Sequence, residues 1–202
     1  MSVASRLSRY LQVARRAAKG GATSISSYEI AAYTGVNATQ VRRDLSAFGR
    51  FGKRGSGYET ELLCERLRTI LGADENKSVV IVGAGRVGEA LLSSNFSDTQ
   101  GLEVVGIFDV DASKIGRQIG SLCVSPLGDL KQEVKRHNAS GGVIAVPAQD
   151  AQSVADELVE AGVRVLFNYS DALLDVPGDV SVRTLNPAVE LLSMLSQRAR
   201  LS

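Results

Sequence analysis

Two groups of residues in this chain carry chemistry: a glycine triplet with an acid behind it, and a block of cations near the start. Gly83-Ala84-Gly85-Arg86-Val87-Gly88 follows the β-branched run Ser78-Val79-Val80-Ile81-Val82 and leads into an apolar stretch through Ala90, Leu91 and Leu92. A strand, a turn and a helix joined by GxGxxG make a cradle for a pyrophosphate. Gly83 permits the tight turn, Gly85 lets the backbone approach the phosphates, and Gly88 lets helix and strand pack closely; the helix N-terminus favours the anion. A second strand, 103–108, ends in Asp109, 21 residues after Gly88. An acid there would accept hydrogen bonds from ribose hydroxyls and repel a 2′-phosphate, which favours NAD(H) over NADP(H). Asp111 is the neighbouring alternative, and Val110 and Lys114 complete this group of candidate cofactor contacts. Further strands, 142–146 and 163–167, flank a helix over 150–161. Their ends, Val146-Pro147-Ala148 and Asn168-Tyr169-Ser170, are candidates to line the nicotinamide side, because ligands of an open α/β sheet sit at the strand ends.

The cations lie ahead of this unit. Residues 1–58 hold ten Lys and Arg against two acids, Glu29 and Asp44, so that segment carries +8 while the whole chain carries +1. The remainder is therefore −7, an asymmetry that points the front end at a polyanion. Leu7, Tyr10, Leu11, Ala14 and Ala18 recur at helical spacing until Gly20-Gly21 stops the helix. Ser26 and Glu29 stand at capping-box spacing for a short second helix that ends at Gly35. Asn37 caps a third, in which Val41, Leu45 and Phe48 form one buried stripe. Thr39, Gln40, Arg42, Arg43 and Ser46 are then left outward, the helix-turn-helix pattern whose second helix enters the major groove. Phe51-Gly52-Lys53-Arg54-Gly55-Ser56-Gly57-Tyr58 suits a tight hairpin that holds Lys53 and Arg54 at its tip, with Gly55 beside them, for a narrow minor groove or phosphates. A helix over 59–71 follows, with Leu63, Leu67, Ile70 and Leu71 on one face.

The expected architecture is an α/β Rossmann-type parallel sheet (77–183) behind a small α+β winged-helix domain (1–76), with a terminal helix (184–202). Asn186 caps that last helix, Pro187 occupies its first turn, and Ala188, Leu191, Leu192 and Leu195 make an apolar stripe for its own domain or a partner subunit. No apolar run approaches the roughly 20 residues of a membrane span, and residues 1–30 show no signal peptide, so the expected location is the cytoplasm. Two cysteines, Cys64 and Cys123, read as reduced and mostly buried thiols, and a single His137 offers no metal site. An NAD-dependent oxidoreductase needs a proton donor beside the reacting carbonyl. His137 lies in a charged stretch that reads as a surface helix, Tyr169 has no Lys at a recognisable spacing, and no substrate domain remains. No catalytic residue is therefore assigned. A regulator binding coenzyme A is the other alternative, against which Asp109 argues by repelling a 3′-phosphate.

The order winged helix, Rossmann unit, terminal helix resembles the Rex family of redox-sensing transcriptional repressors along nearly the whole chain. Gln40-Val41-Arg42-Arg43-Asp44-Leu45-Ser46, Phe48 through Tyr58, Phe108-Asp109-Val110-Asp111 and Val189-Glu190-Leu191 look like family signatures. The resemblance implies a homodimer whose Rossmann domains pack together and whose terminal helices are exchanged. It implies repression of genes for NADH-reoxidising metabolism from inverted-repeat operators, with NAD⁺ permitting DNA binding and NADH causing release. Three positions depart from the family pattern: Gln12 stands for an Arg, Ser94 for a Tyr and Asn186 for an Asp. In the family those groups couple cofactor state to the DNA domain. Neither Gln12 nor Asn186 ionises, so the resemblance also implies a weakened or rewired coupling in this chain.

Overall fold

The computed structural model describes residues 2–49, 51, 57–72, 77–93 and 101–199. The chain divides into two compact units, 1–76 and 77–202.

In the first unit the helix ends are set by local side chains. Helix α1 (Val3–Lys19) starts where the Ser2 hydroxyl accepts from the Ser5 N–H. Helix α2 (Ser27–Thr34) opens on a full capping box: Ser26 Oγ accepts from the Glu29 N–H, and Glu29 Oε2 accepts from the Ser26 N–H. Gly35 closes it in the left-handed region. Asn37 Oδ1 accepts from the Gln40 N–H at 2.8 Å and opens α3 (Ala38–Ser46). Strand β1 (Ser24–Ile25) pairs antiparallel with β2 (Tyr58–Glu59), and α4 (Thr60–Ile70) follows. Leu7, Leu11, Ile30, Val41, Leu45 and Leu63 pack in one core. The expected stripe on the third helix holds for Val41 and Leu45 but not for Phe48, which is exposed. The helix ends at Ser46 with Ala47 as its cap, so the 3.6-residue period stops before residue 48. Phe51 enters the core in its place.

The second unit is a seven-stranded sheet. Its strands are β3 (Lys77–Val82), β4 (Leu102–Asp109), β5 (Gln118–Ile119), β6 (Leu122–Pro126), β7 (Gly141–Ile144), β8 (Val165–Asn168) and β9 (Ser181–Thr184). They lie in the order β5-β6-β4-β3-β7-β8-β9, and every neighbouring pair is parallel except β5 with β6. Helices α5 (Arg86–Ser93), α6 (Leu130–Arg136) and α7 (Ala148–Ala161) alternate with the strands, and α8 (Pro187–Ala199) ends the described chain. Strands β3, β4, β7 and β8 are rich in buried aliphatic residues such as Val80, Ile81, Ile107, Ile144 and Leu166, as parallel strands covered on both faces must be. After β3 the chain winds to one side through β4 and β6, then crosses β3 and builds the other side. That reversal puts the ligand crevice of such a sheet at the carboxyl ends of β3 and β7. The short strands β5, β6 and β9 are additions to the expected pattern. Cys64 is half-buried, but Cys123 is exposed, against the expectation of two mostly buried thiols.

Candidate functional site

At the carboxyl end of β3 the Gly83 N–H donates to the Phe108 carbonyl at 2.8 Å, which ties the turn to β4. Gly83 has φ +107°, and a Cβ there would collide with the Ala145 carbonyl oxygen. A Cβ on Gly88 would collide with the Gly83 oxygen, so those two glycines are required by packing. Gly85 is different: among the described residues a Cβ on it would meet nothing within 4 Å. Open space therefore lies against the loop beside the start of α5, where the first N–H groups have no partner inside the helix and the helix dipole favours an anion. Ala84 is buried, whereas Arg86 and Val87 are exposed at the rim.

Asp109 is 7% exposed and already holds three donors. Its Oδ2 accepts from the Ala84 N–H at 2.8 Å and from Lys114 Nζ at 3.0 Å, and its Oδ1 accepts from the Asp111 N–H at 2.9 Å. Burial pushes its pKa up, but the hydrogen bonds from Asp111, Lys114 and Ala84 outweigh that and hold it below the ordinary carboxylate value. The bond to Asp109 raises Lys114 in turn, so the pair is ionised at neutral pH. Asp109 is the acid that the sequence places at ribose spacing, and these three bonds leave about one of the four acceptor positions of its carboxylate. It is pinned by the loop, and it fixes the loop to the end of β4. Asp111 is exposed; its Oδ1 accepts from the N–H and the hydroxyl of Ser113, while its Oδ2 lies 3.7 Å from Lys114 Nζ. Val110 beside it is 77% exposed.

Across the crevice Val146 is half-buried and borders the glycine loop, its Cγ1 lying 3.1 Å from where a Gly83 Cβ would stand. Pro147 and Ala148 are exposed at the start of α7. Asn168 and Ser170 are buried and committed to the chain. Asn168 Nδ2 donates to the Ala172 carbonyl and to Thr184 Oγ1, and its Oδ1 accepts from the N–H and the hydroxyl of Ser170. These two candidates hold the turn after β8 rather than offering free polar atoms. Tyr169, edge-on to Phe167 with ring centroids 5.5 Å apart, keeps part of its surface accessible, and burial of the rest pushes its phenol up.

On α3 of the first unit, Thr39, Arg42, Arg43 and Ser46 are exposed as expected, but Gln40 is half-buried. Its Nε2 donates to Asp44 Oδ1 at 2.8 Å. Arg42 donates through Nη1 to Ser27 Oγ and through Nη2 to Thr39 Oγ1, and its guanidinium carbon lies 5.6 Å from the centroid of the Tyr28 ring. The Ser46 hydroxyl donates to the Arg42 carbonyl. Arg43 has no partner among the described residues. Lys53, Arg54 and Gly55 lie outside the described residues.

The sequence reading missed what holds α3 in place. Asp44 is 5% exposed. It takes a two-pronged ion pair from Arg6 of α1, Nε to Oδ2 at 2.6 Å and Nη2 to Oδ1 at 2.7 Å, and the Tyr10 hydroxyl donates to Oδ2 at 2.9 Å. The Arg6 bonds hold the Asp44 carboxyl down at about 2 despite burial, and burial together with Asp44 pushes the Tyr10 phenol up to about 12. Only partners 34 and 38 residues away could have revealed this, and no local period reports them.

Residues 74–172 match a family described as "CoA binding domain", and residues 1–46 one described as "Putative DNA-binding protein N-terminus". The chain is 41% identical to the redox-sensing transcriptional repressor Rex of Rubrobacter xylanophilus, over 95% of this chain and 88% of that one. It is 40% identical to the Rex of Chloroflexus aurantiacus, over 98% of this chain and 93% of that one. The chain belongs to the Rex family. Solved structures of the Rex-family repressor RSP agree in fold: one titled as a complex with β-NAD⁺ and operator DNA covers 99% of this chain and 93% of its own, at 32% identity and a TM-score of 0.84. Another, titled as a complex with β-NADH, covers 99% and 94% at 30% identity and a TM-score of 0.83. In this Rex-family chain Gln12 is exposed on α1, and Ser94 lies outside the described residues. Asn186 Oδ1 accepts from the N–H groups of Ala188 and Val189, capping α8, while its Nδ2 donates to Asp171 Oδ1 at 2.7 Å.

Proposed function

We propose that this Rex-family chain is a homodimeric repressor that binds an inverted-repeat operator through its first unit and NAD(H) through its second, and that NADH causes release. The observation that carries the reading is the agreement, over 99% of the chain, with RSP in a structure titled as holding β-NAD⁺ and operator DNA. The open space at Gly85 beside the start of α5 fits a pyrophosphate. Asp109 fixes the loop, and Asp111, the more exposed acid, accepts the adenosine ribose hydroxyls. On the DNA side Arg43 reaches base edges, and Lys53, Arg54 and Gly55 contact the minor groove or phosphates. Val189, Leu191, Leu192 and Leu195 of α8 are each more than half exposed in the single chain, an apolar face that a second copy covers. Such a repressor works in the cytoplasm, where the chromosome meets free NAD(H).

The second reading, favoured by the family description over 74–172, is a coenzyme A-type ligand in the same crevice. An ionised Asp111 at the ribose disfavours its 3′-phosphate. Fluorescence anisotropy with a labelled inverted-repeat duplex at fixed salt tests both. NADH is expected to release the DNA, and NAD⁺ and coenzyme A are not. Release by coenzyme A alone would overturn the choice of ligand. DNA binding indifferent to all three would overturn redox control and leave an altered sensor, in keeping with Gln12, Ser94 and Asn186.

A further inference from the structure

We propose that Tyr28 and Arg42 act as one unit that grips a phosphate of the DNA backbone, so that Arg42 positions the protein and does not read a base. The inference rests on the reading that α3 faces DNA, and it assigns a role to a residue of α2. Arg42 is exposed, yet its guanidinium is fixed three ways: by Ser27 Oγ at 3.0 Å, by Thr39 Oγ1 at 3.1 Å and by the Tyr28 ring. Two of the five N–H donors of an arginine are thus spent on the protein and three remain, held in a planar fork that matches phosphate oxygens. To follow a base edge, the fork would have to break both hydrogen bonds and the stack. A phosphate contact demands no such reach, and it rewards a donor already in place. Tyr28 is 71% exposed, and its hydroxyl has no partner among the described residues. The ring orients the cation and the hydroxyl supplies a second donor on the same surface.

The chain contains its own control. Arg16 stacks on Tyr33 at 5.4 Å, but that guanidinium has no hydrogen bond among the described residues. Tyr33 also lies about 140° around α2 from Tyr28. A ring that merely decorates the surface would behave alike at both places.

The test uses the full chain, an inverted-repeat duplex selected by the unmodified protein from a random pool, and a scrambled duplex of equal length. Arg42→Gln and Tyr28→Leu are expected to weaken binding to both duplexes by a common factor, leaving the preference between them unchanged, while Tyr33→Leu alters neither. Arg42→Gln should also lower the slope of log affinity against log salt by about 0.9 per half-site. A fall in preference with Arg42→Gln would show base reading and overturn the proposal. So would Tyr28→Leu binding as the unmodified chain does, or Tyr33→Leu weakening binding as much as Tyr28→Leu. Circular dichroism of each variant separates these results from misfolding. If the unmodified protein shows no preference for any duplex, the DNA-facing reading of α3 fails first.

Discussion

Asp44→Asn is expected to loosen the junction of α1 and α3 by about 2–3 kcal/mol at neutral pH. The carboxyl is almost fully buried and its pKa falls from the ordinary 3.8 to about 2 in the folded chain. At about 1.36 kcal/mol per pH unit, that depression is worth roughly 2.5 kcal/mol. Removing one partner of a buried ion pair costs about 3–5 kcal/mol, and Asn, which keeps the shape and one acceptor, belongs near the lower end. The sign follows from linkage. The folded value lies below the unfolded one, so the stabilisation is complete well above pH 4 and is lost as the pH falls; about half remains at pH 3 and little below pH 2. Hydrogen–deuterium exchange of the 38–46 amides in the full-length chain reads this directly, with rates corrected for the intrinsic effect of pH. Opening should be roughly 70-fold more frequent in the variant at pH 7 and roughly tenfold more frequent at pH 3. A difference under about threefold at pH 7, or one that does not shrink on acidification, would refute the argument that the ionised carboxylate holds the two helices together.

Arg43→Ala should abolish or greatly weaken operator binding while NADH affinity, measured by calorimetry, stays the same; equal loss of both would mean a misfolded chain or a wrong division of labour between the units. Replacement of the two loop glycines should separate ligand space from packing. Gly85→Val places its side chain in open space, so the melting temperature should change little while NADH binding falls at least tenfold. Gly88→Ala meets the Gly83 carbonyl oxygen and should lower the melting temperature itself. Equal behaviour of the two variants in both assays would contradict the reading of Gly85.

What the sequence made legible was local. The Ser26 and Glu29 capping box, the Asn37 cap and the glycine spacing at 83, 85 and 88 are each written within a few residues, and the structure places each at the helix or turn it marks. Less accessible were side chains whose partners come from elsewhere. Asp44 sits in a run of polar residues and reads as solvated until Arg6, 38 residues earlier, is brought against it. Asp109 has the right spacing for a ribose, but the claims of Ala84 and Lys114 on it depend on how the glycine loop closes over β4. Asn168 falls at a strand end, yet its amide is used by Ser170, Ala172 and Thr184. Strands β5 and β9, of two and four residues, lack the length from which an alternating pattern can be read.

The polar side chains of α3 are turned largely to the needs of the protein: Gln40 to Asp44, Thr39 to Arg42, and Ser46 to the carbonyl of Arg42. If α3 enters the major groove as proposed, Arg43 is the exposed side chain of that helix left without a partner among the described residues, and so the one placed to read a base edge. In a dimer on an inverted repeat, the distance and phase between half-sites would add to what that side chain reads. One base pair inserted between the half-sites would move the second by about 3.4 Å and turn it by about a tenth of a helical turn, out of step with the partner subunit.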